Sequence, residues 1–395
     1  MRQSRLFISM ALSGTVAIGS AGLAQADDGD LPRLLVVGTP SAQTGSFAST
    51  NGWAAIFQDQ TSSAARIVPE DSETQRYKRL TERRDITMSS VSVAEMQYQI
   101  EGRDSYAATK PVAQRIIWHH NDTPWGWVVS GDSDIQTVED LKRGDVKLAQ
   151  GVFSPVMTRT ARKSMPAYLG VSPEKADEIF EYVPASSYVE NCRSVVEGKA
   201  DAAWCSPISS VLSEMEGAPG GIRWLSMDTE NKDAWERLLD HSPMTIPTTF
   251  TFGVSSAIGV DGVTSTFVYS APADVSDDFA YAMAKWFHQS YDDYKKTHGL
   301  ATRMQLDVFK SFVKSSPLPL HEGTVRYLKE IGAWSDEEEA FNQEAIAQVD
   351  GWIEARKKAM DEARDKRIVP DPDNKEFMAI LERHTEGLET FRSRL

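Results

Sequence analysis

Short apolar runs alternate with amphipathic stretches along most of the chain. The runs are rich in β-branched residues and predict strands, and the stretches between them have the spacing of helices. In the first part of the chain the predicted strands are Arg33–Gly38, Ala65–Pro69, Asp85–Met88, Arg115–Trp118 and Trp127–Ser130, and the helices run from about Phe47 to Ser62, Gln75 to Glu82 and Val93 to Glu101. This βαβα order favours a parallel sheet with helices on both faces.

A second alternating unit begins near Asp132. Its predicted strands are Val146–Ala149, Phe180–Val183, Ala200–Trp204 and Arg223–Ser226, and its helices are Val156–Leu169 and Tyr188–Glu197. From about Asp274 the chain is predicted to be helical. The last segment, 335–395, is strongly charged and contains two amphipathic stripes. The stripes predict helices that pack either on the main body or on a partner protein.

The first 26 residues have the features of a secretory signal. Arg2 and Arg5 precede an apolar stretch, and Ala24-Gln25-Ala26 forms a small-x-small cleavage site. The alternative is a short membrane anchor, although the apolar stretch is short for a span of about 20 residues. We therefore predict an exported, periplasmic protein that is cleaved after Ala26 and does not span the membrane.

Composition narrows the possible functions. The chain has 395 residues and a formal net charge of −15, which argues against nucleic acid as a partner because such binding depends on Lys and Arg. The only two cysteines are Cys192 and Cys205. In an oxidising compartment they are expected to form either a disulfide or two buried free thiols.

Four polar loops follow predicted strands: Thr39–Ser46, Ser89–Ser92, Gln150–Pro155 and Cys205–Pro207. Ligands of open α/β sheets bind beyond the carboxyl ends of the strands. Each loop also opens a helix, and the free N–H groups there suit a carboxylate or phosphate. The alternative for each Ser or Thr is a helix cap without a ligand. Aromatic residues beside the loops, which either cover the ligand or pack in the core, are Phe47, Trp53, Tyr188 and Trp204.

Signals for catalysis are weak. Ser311-Phe-Val-Lys314 lacks the Lys-Thr-Gly partner of penicillin-recognising enzymes, and His119-His120 lacks the spacing of a metal site. Phosphate-binding loops and the Gly-x-Ser-x-Gly motif are absent from the sequence. We predict no enzyme activity, cofactor or metal. A cation that pairs with the ligand is not assigned, and the candidates are Lys110, Arg115, Arg159 and Arg162.

The chain resembles the TAXI-type solute-binding proteins of TRAP transporters from about Leu34 to Trp334. The motifs that carry the resemblance are Gly38 with Gly45-Ser46-Phe47, the turn Ser89-Ser90 before a helix that ends at Gly102, Asp140-Leu-Lys-Arg-Gly144, Gly198-Lys-Ala-Asp201-Ala202, and His321-Glu-Gly323 through Tyr327. The motifs are moderately specific together and weak singly.

The resemblance implies an α/β fold of two lobes, each a sheet flanked by helices, that close on a small organic anion, a carboxylate similar to glutamate or 2-oxoglutarate. Lobe 1 would comprise 31–125 and 267–334, lobe 2 would be 126–266, and 335–395 would be a helical extension. A TRAP-type membrane permease would receive the ligand; the alternatives are a sensor for a membrane signalling protein or a periplasmic hydrolase. The predicted ligand-binding residues are Thr39, Ser41, Thr44, Gly45, Ser46, Phe47, Ser89, Ser90, Ser154, Tyr188, Trp204 and Ser206.

Overall fold

The computed structural model describes residues 31–394, and the predicted signal segment 1–26 lies outside them. The strands of the described chain are β1 (Leu34–Thr39), β2 (Ala64–Pro69), β3 (Met88–Ser92), β4 (Gln114–Ser130), β5 (Val146–Gly151), β6 (Phe180–Ala185), β7 (Ala202–Cys205), β8 (Ile222–Leu225), β9 (Ile246–Thr249) and β10 (Asp261–Pro272). They form a sheet in the order β2-β1-β3-β10-β4-β7-β5-β6, in which β8 also pairs with β4 and β9 with β10.

Helices cover the sheet. They are α1 (Gly45–Gln60), α2 (Glu73–Lys78), α3 (Val93–Glu101), α4 (Pro155–Arg159), α5 (Met165–Tyr168), α6 (Pro173–Ile179), α7 (Tyr188–Arg193), α8 (Ser210–Glu216), α9 (Lys232–His241), α10 (Asp277–Gln289), α11 (Tyr291–Tyr294), α12 (Leu306–Ser315), α13 (Glu322–Glu330), α14 (Asp336–Asp365) and α15 (Lys375–Thr385). The π-helical turn Thr160–Ser164 joins α4 to α5. The predicted α/β class with two lobes is confirmed.

The strand β4 passes from one lobe to the other. From Gln114 to Trp125 it pairs antiparallel with β10, and from Gly126 to Val129 it pairs with β7. Val263 near the start of β10 packs in the core of lobe 2, whereas Val268 packs in the core of lobe 1. Two antiparallel strands therefore connect the lobes, and the exact boundaries given above for the lobes stay a prediction.

Two predictions about the sheet are wrong, and one strand was missed. The sheet is mixed and not parallel, since β4 and β10 run antiparallel to their neighbours. The two predicted strands at Arg115–Trp118 and Trp127–Ser130 are one strand, because β10 supplies backbone partners to the polar stretch between them. The strand β10 itself was not predicted, and it makes the central pairings of lobe 1.

Ser89 and Ser90 also lie in a strand, which corrects their predicted place in a loop. They belong to β3, which pairs with β1 on one side and β10 on the other. Their hydroxyls are satisfied inside the protein, since Ser89 accepts a hydrogen bond from Arg76 Nε at 3.2 Å and Ser90 Oγ lies 2.9 Å from His120 Nδ1. Pairing on both sides overrides the turn preference of serine here.

The C-terminal extension packs on lobe 1. Val349, Trp352 and Ile353 of α14 join its main core, and Phe377 of α15 packs in a smaller cluster with Ala107. A long charged helix is stabilised in this way by tertiary packing of its apolar face. Of the two predicted alternatives for the amphipathic stripes, the structure shows packing on the main body.

Candidate functional site

A cleft lies between the two lobes and is lined from both sides. Ser46 and Glu95 contribute from lobe 1, and Phe153 and Trp204 from lobe 2. The centre of a water-sized sphere can occupy about 90 Å³ of this cleft. One water needs about 10–15 Å³ on this measure, so the space equals roughly six to nine waters. The cleft therefore has the size for a small organic molecule.

The start of α1 forms part of the lobe 1 wall. The Thr44 hydroxyl caps the helix by accepting a hydrogen bond from the Phe47 N–H. Gly45 and Ser46 are buried at the first helical positions and line the cleft. The first N–H groups of a helix have no partner within the helix and carry the positive end of its dipole. This wall therefore offers main-chain donors to an acidic group.

Gly45 is also a point where the lobes come close. A Cβ atom at this position would lie 2.9 Å from Leu300 Cδ1 and 3.0 Å from Ile208 Cδ1. Ile208 belongs to the segment before α8 in lobe 2 and lines the same cleft. Glycine at position 45 therefore allows close approach of the lobes.

The lobe 2 wall is largely aromatic. Trp127, Phe153, Tyr188 and Trp204 line the cleft from lobe 2, and Trp125, the last residue of the first segment of lobe 1, packs beside Tyr188. The Tyr188 hydroxyl accepts a hydrogen bond from the Ser206 N–H at 2.9 Å and lies 2.7 Å from Ser209 Oγ. Burial raises the pKa of Tyr188 to about 12, so this hydroxyl remains protonated at neutral pH. The hydrogen bonds fix the ring beside the cleft.

A disulfide supports this wall. Cys192 of α7 and Cys205 of β7 are bonded, with their Cα atoms 5.9 Å apart. Tyr188 begins α7 and Trp204 lies next to Cys205 in β7. The bond therefore ties together the two elements that carry these lining residues.

Acidic side chains form the other polar part of the site. Asp71, Glu73 and Glu95 line the cleft, and within residues 31–394 no Lys, Arg or His lines it. Glu73 forms an ion pair with the buried Arg76, which lies behind the wall. Glu95 has no ion-pair partner within the described residues. The four cations considered as partners of a ligand, Lys110, Arg115, Arg159 and Arg162, do not line the cleft.

Glu95 is held by hydroxyl groups from both lobes. Its carboxyl group accepts hydrogen bonds from Tyr106 at 2.7 Å and from Ser154 at 2.9 Å. Burial raises the pKa of Glu95 to about 8, and the nearby charge of Glu73 adds to the shift. Ser154 also caps α4 by accepting from the Met157 N–H at 3.2 Å. The cap of a lobe 2 helix thus contacts a lobe 1 carboxyl group.

Two more hydrogen bonds cross the cleft. The Glu73 N–H donates to the Phe153 carbonyl oxygen at 3.0 Å, and Ser210 Oγ donates to the Gln43 carbonyl oxygen at 3.3 Å. The lobes therefore touch through backbone and hydroxyl groups on either side of the cavity.

The predicted site residues divide into two groups. Those that line the cleft are Ser41, Thr44, Gly45, Ser46, Ser154, Tyr188, Trp204 and Ser206. Those that lie outside its lining are Thr39, Phe47, Ser89 and Ser90. Thr39 is the last residue of β1 and is fully buried. Phe47 does not line the cavity, although the preceding residue, Ser46, does.

Sequence analysis missed the acidic residues. Asp71 and Glu73 follow β2, a strand whose carboxyl end was not considered together with the other four loops. Glu95 stands three residues after Ser92, which caps α3. A survey of the residues after every predicted strand would have found Asp71 and Glu73.

A possible metal cluster lies elsewhere. Asp277, His321 and Glu322 place one potential ligand atom each within 4.8 Å of one another. His321 Nδ1 already accepts a hydrogen bond from the Gly323 N–H at 3.2 Å and caps α13. These residues are outside the cleft, and their hydrogen bonding fits a structural role.

Solved structures of low sequence identity resemble this chain. An ancestral arginine-binding protein bound to arginine is 12% identical, with 68% of this chain and 97% of that chain covered and a TM-score of 0.41. The periplasmic aliphatic sulphonate binding protein SsuA from Escherichia coli is 13% identical, with 86% and 95% covered and a TM-score of 0.41. A TctC solute binding protein from Polaromonas is 14% identical, with 82% and 98% covered and a TM-score of 0.36. Similarity at this level carries no information about the ligand.

Three further results bear on the identity of the chain. A search of curated proteins gives no significant match. Within the described residues, no helix combines the length and the apolar character that a membrane crossing needs. Residues 43–332 match the model of the NMT1-like family. This matched range contains residues of both lobes and of the cleft between them. Because this match covers well over half of the chain, the protein belongs to the NMT1-like family.

Proposed function

We propose that this protein is an exported, non-catalytic receptor that captures a small organic carboxylate between its lobes. The observation that carries the proposal is the cleft itself, which is lined from both lobes and bounded by two connecting strands. The amides at the start of α1 suit the carboxylate, and the aromatic wall suits the apolar part of the molecule.

The function proposed for the receptor is to deliver the captured solute to a membrane permease. A partner in the membrane distinguishes the loaded receptor only if the solute binds one arrangement of the lobes better than another. Residues from both lobes contact the same cavity, so a bound solute favours the arrangement with the lobes together. The TAXI-like motifs favour a TRAP-type permease and a periplasmic location. Deletion of a neighbouring permease gene should abolish uptake of the same solute.

Tryptophan emission tests capture directly. Three tryptophans line the cleft, so a solute should change emission in a saturable way and be recovered unchanged. Trp125→Phe should remove part of the signal. Trp334→Phe is the matched control, because Trp334 bonds Glu339 away from the cleft. Turnover of the solute, or a signal that is lost only in the control, would reject the proposal.

A further inference from the structure

Asp71 is the acidic residue of the cleft that forms neither an ion pair nor a hydrogen bond through its Oδ1 atom within residues 31–394. Its Oδ1 atom is buried and has no hydrogen-bond partner among the residues that the structure describes. Glu73 is neutralised by Arg76, and Glu95 receives two hydroxyl groups. The residue as a whole is only partly buried, but this buried oxygen gains a hydrogen bond only if a donor enters the cleft. Asp71 therefore offers an acceptor to the bound molecule.

The aromatic wall favours the same kind of group. Six aromatic residues line the cleft. Two pairs of their rings contact each other: Trp125 with Tyr188 at 5.8 Å and Trp127 with Trp204 at 5.5 Å between centroids. The faces of such rings attract organic cations. A carboxylate and an aromatic cluster in one small cavity favour a positively charged nitrogen over a second negative charge.

Two other polar groups of the cleft are hydrogen-bond donors that have no acceptor in the described chain. Ser206 is only 2% exposed, lines the cleft, and its Oγ atom has no partner in the described chain. The Trp125 indole N–H is likewise buried and unpartnered there. Together with the first amides of α1, these groups can donate to a carboxylate. The cavity thus presents donors as well as the acceptor on Asp71.

We propose that the solute carries a protonated amine beside its carboxylate, so that the cleft selects zwitterions such as amino acids over plain carboxylates. This inference rests on the proposed function and names its solute class. Asp71 would receive the ammonium group, and the donors at Ser206, Trp125 and α1 would receive the carboxylate.

Matched solutes that differ in the amine provide the test. Calorimetry with the purified protein would compare L-glutamate with glutarate and L-leucine with 4-methylpentanoate, and mass spectrometry would identify small molecules that co-purify. The amine-bearing member should bind at least ten-fold more tightly. Asp71→Asn should weaken its binding by about ten- to a hundred-fold, the scale of a hydrogen bond to a charged group, and leave glutarate unaffected. Asp59→Asn, at an exposed site on α1, is the control.

The outcomes separate the two proposals. Equal or better binding of the amine-free member, an unchanged affinity in Asp71→Asn, or a co-purified solute without a basic nitrogen overturns the inference and leaves the receptor function standing. If no solute of the panel binds, a co-purified molecule decides by the presence or absence of the amine. If none binds and none co-purifies, the receptor function fails and the inference fails with it.

Discussion

Glu95 of lobe 1 accepts a hydrogen bond from the Ser154 hydroxyl of lobe 2 at 2.9 Å. The two residues stand near the starts of α3 and α4, so the contact joins two helix ends across the cleft. Because the carboxyl group is buried, its protonation state matters for how firmly the lobes hold together.

Stability should depend on pH through Glu95. Its pKa is about 8 in the folded protein and near 4.5 when exposed, so the folded state binds more protons between these values. The free energy of unfolding should therefore fall as pH rises from about 5 to 8, by at most about 1.4 kcal/mol per pH unit. Urea unfolding of the wild type and Glu95→Gln at several pH values measures this. The variant should lack this component, and identical slopes would contradict the assignment.

Ser154→Ala should weaken both a helix cap and the contact between lobes. Loss of an N-cap costs about 1 kcal/mol. Ser187→Ala is the control, because Ser187 caps α7 in the same way and the hydrogen bond that it accepts from the Glu190 N–H stays within lobe 2. Both variants should lose thermal stability, but only Ser154→Ala should enlarge the radius of gyration in small-angle scattering. Equal scattering from both variants would mean that Ser154 acts only as a cap.

Gly45→Val should impair solute capture. The added side chain would meet Leu300 and Ile208 and push the lobes apart. Gly351→Ala is a matched control, because a Cβ at Gly351 meets nothing within 4 Å in the middle of α14, where alanine favours the helix by about 0.5–1 kcal/mol. Calorimetry should show at least ten-fold weaker binding in Gly45→Val alone. Wild-type affinity in that variant would remove Gly45 from the site.

Arg356 should be essential for the position of α3. Its buried guanidinium donates to the carbonyl oxygens of Gln99 at 2.6 Å and Tyr106 at 2.7 Å, and it has no acidic partner in the described part of the chain. Arg356→Met leaves buried acceptors unsatisfied and should cost about 3 kcal/mol in urea unfolding. Lys357→Met, at the exposed neighbouring position, should cost less than about 0.5 kcal/mol. Similar losses in both variants would contradict a specific role for Arg356.

Reduction of the disulfide should destabilise lobe 2. The bond between Cys192 and Cys205 closes a loop of 13 residues in sequence separation, for which the chain-entropy model gives about 3 kcal/mol. Thermal unfolding with and without dithiothreitol would measure the loss. The double variant Cys192→Ala/Cys205→Ala should be insensitive to the reductant, and a wild type that is equally insensitive would show that the bond contributes little.

Local patterns predicted the elements that flank the site. The periodicity from Val93 to Glu101 predicted the observed bounds of α3. The predicted strand Arg33–Gly38 differs from the observed β1, Leu34–Thr39, by one residue at each end. These segments have apolar spacing and caps that act over a few residues. Ser89 and Ser90 had the composition of a turn, yet pairing with two distant strands placed them inside the sheet.

The residues of the cleft also divide into those that local sequence patterns predicted and those whose role depends on tertiary contacts. Ser154, Tyr188 and Ser206 could be nominated because they follow strands or open helices, which is a local feature. Asp71 and Glu73 follow β2 and could have been found in the same way. Which of the two has a cationic partner could not be predicted, because it depends on Arg76, which pairs with Glu73 and not with Asp71.

The sequence by itself determined the alternation of helices and strands, the two-cysteine inventory and the charged C-terminal helices, because these follow from composition and from spacing over a few residues. Only the tertiary structure decided that β4 and β10 run antiparallel between the lobes, that Arg356 anchors α3, and that acids and aromatic rings share the cleft. Those outcomes depend on contacts between residues far apart in the chain, whose pairing is set by burial and by the satisfaction of polar groups.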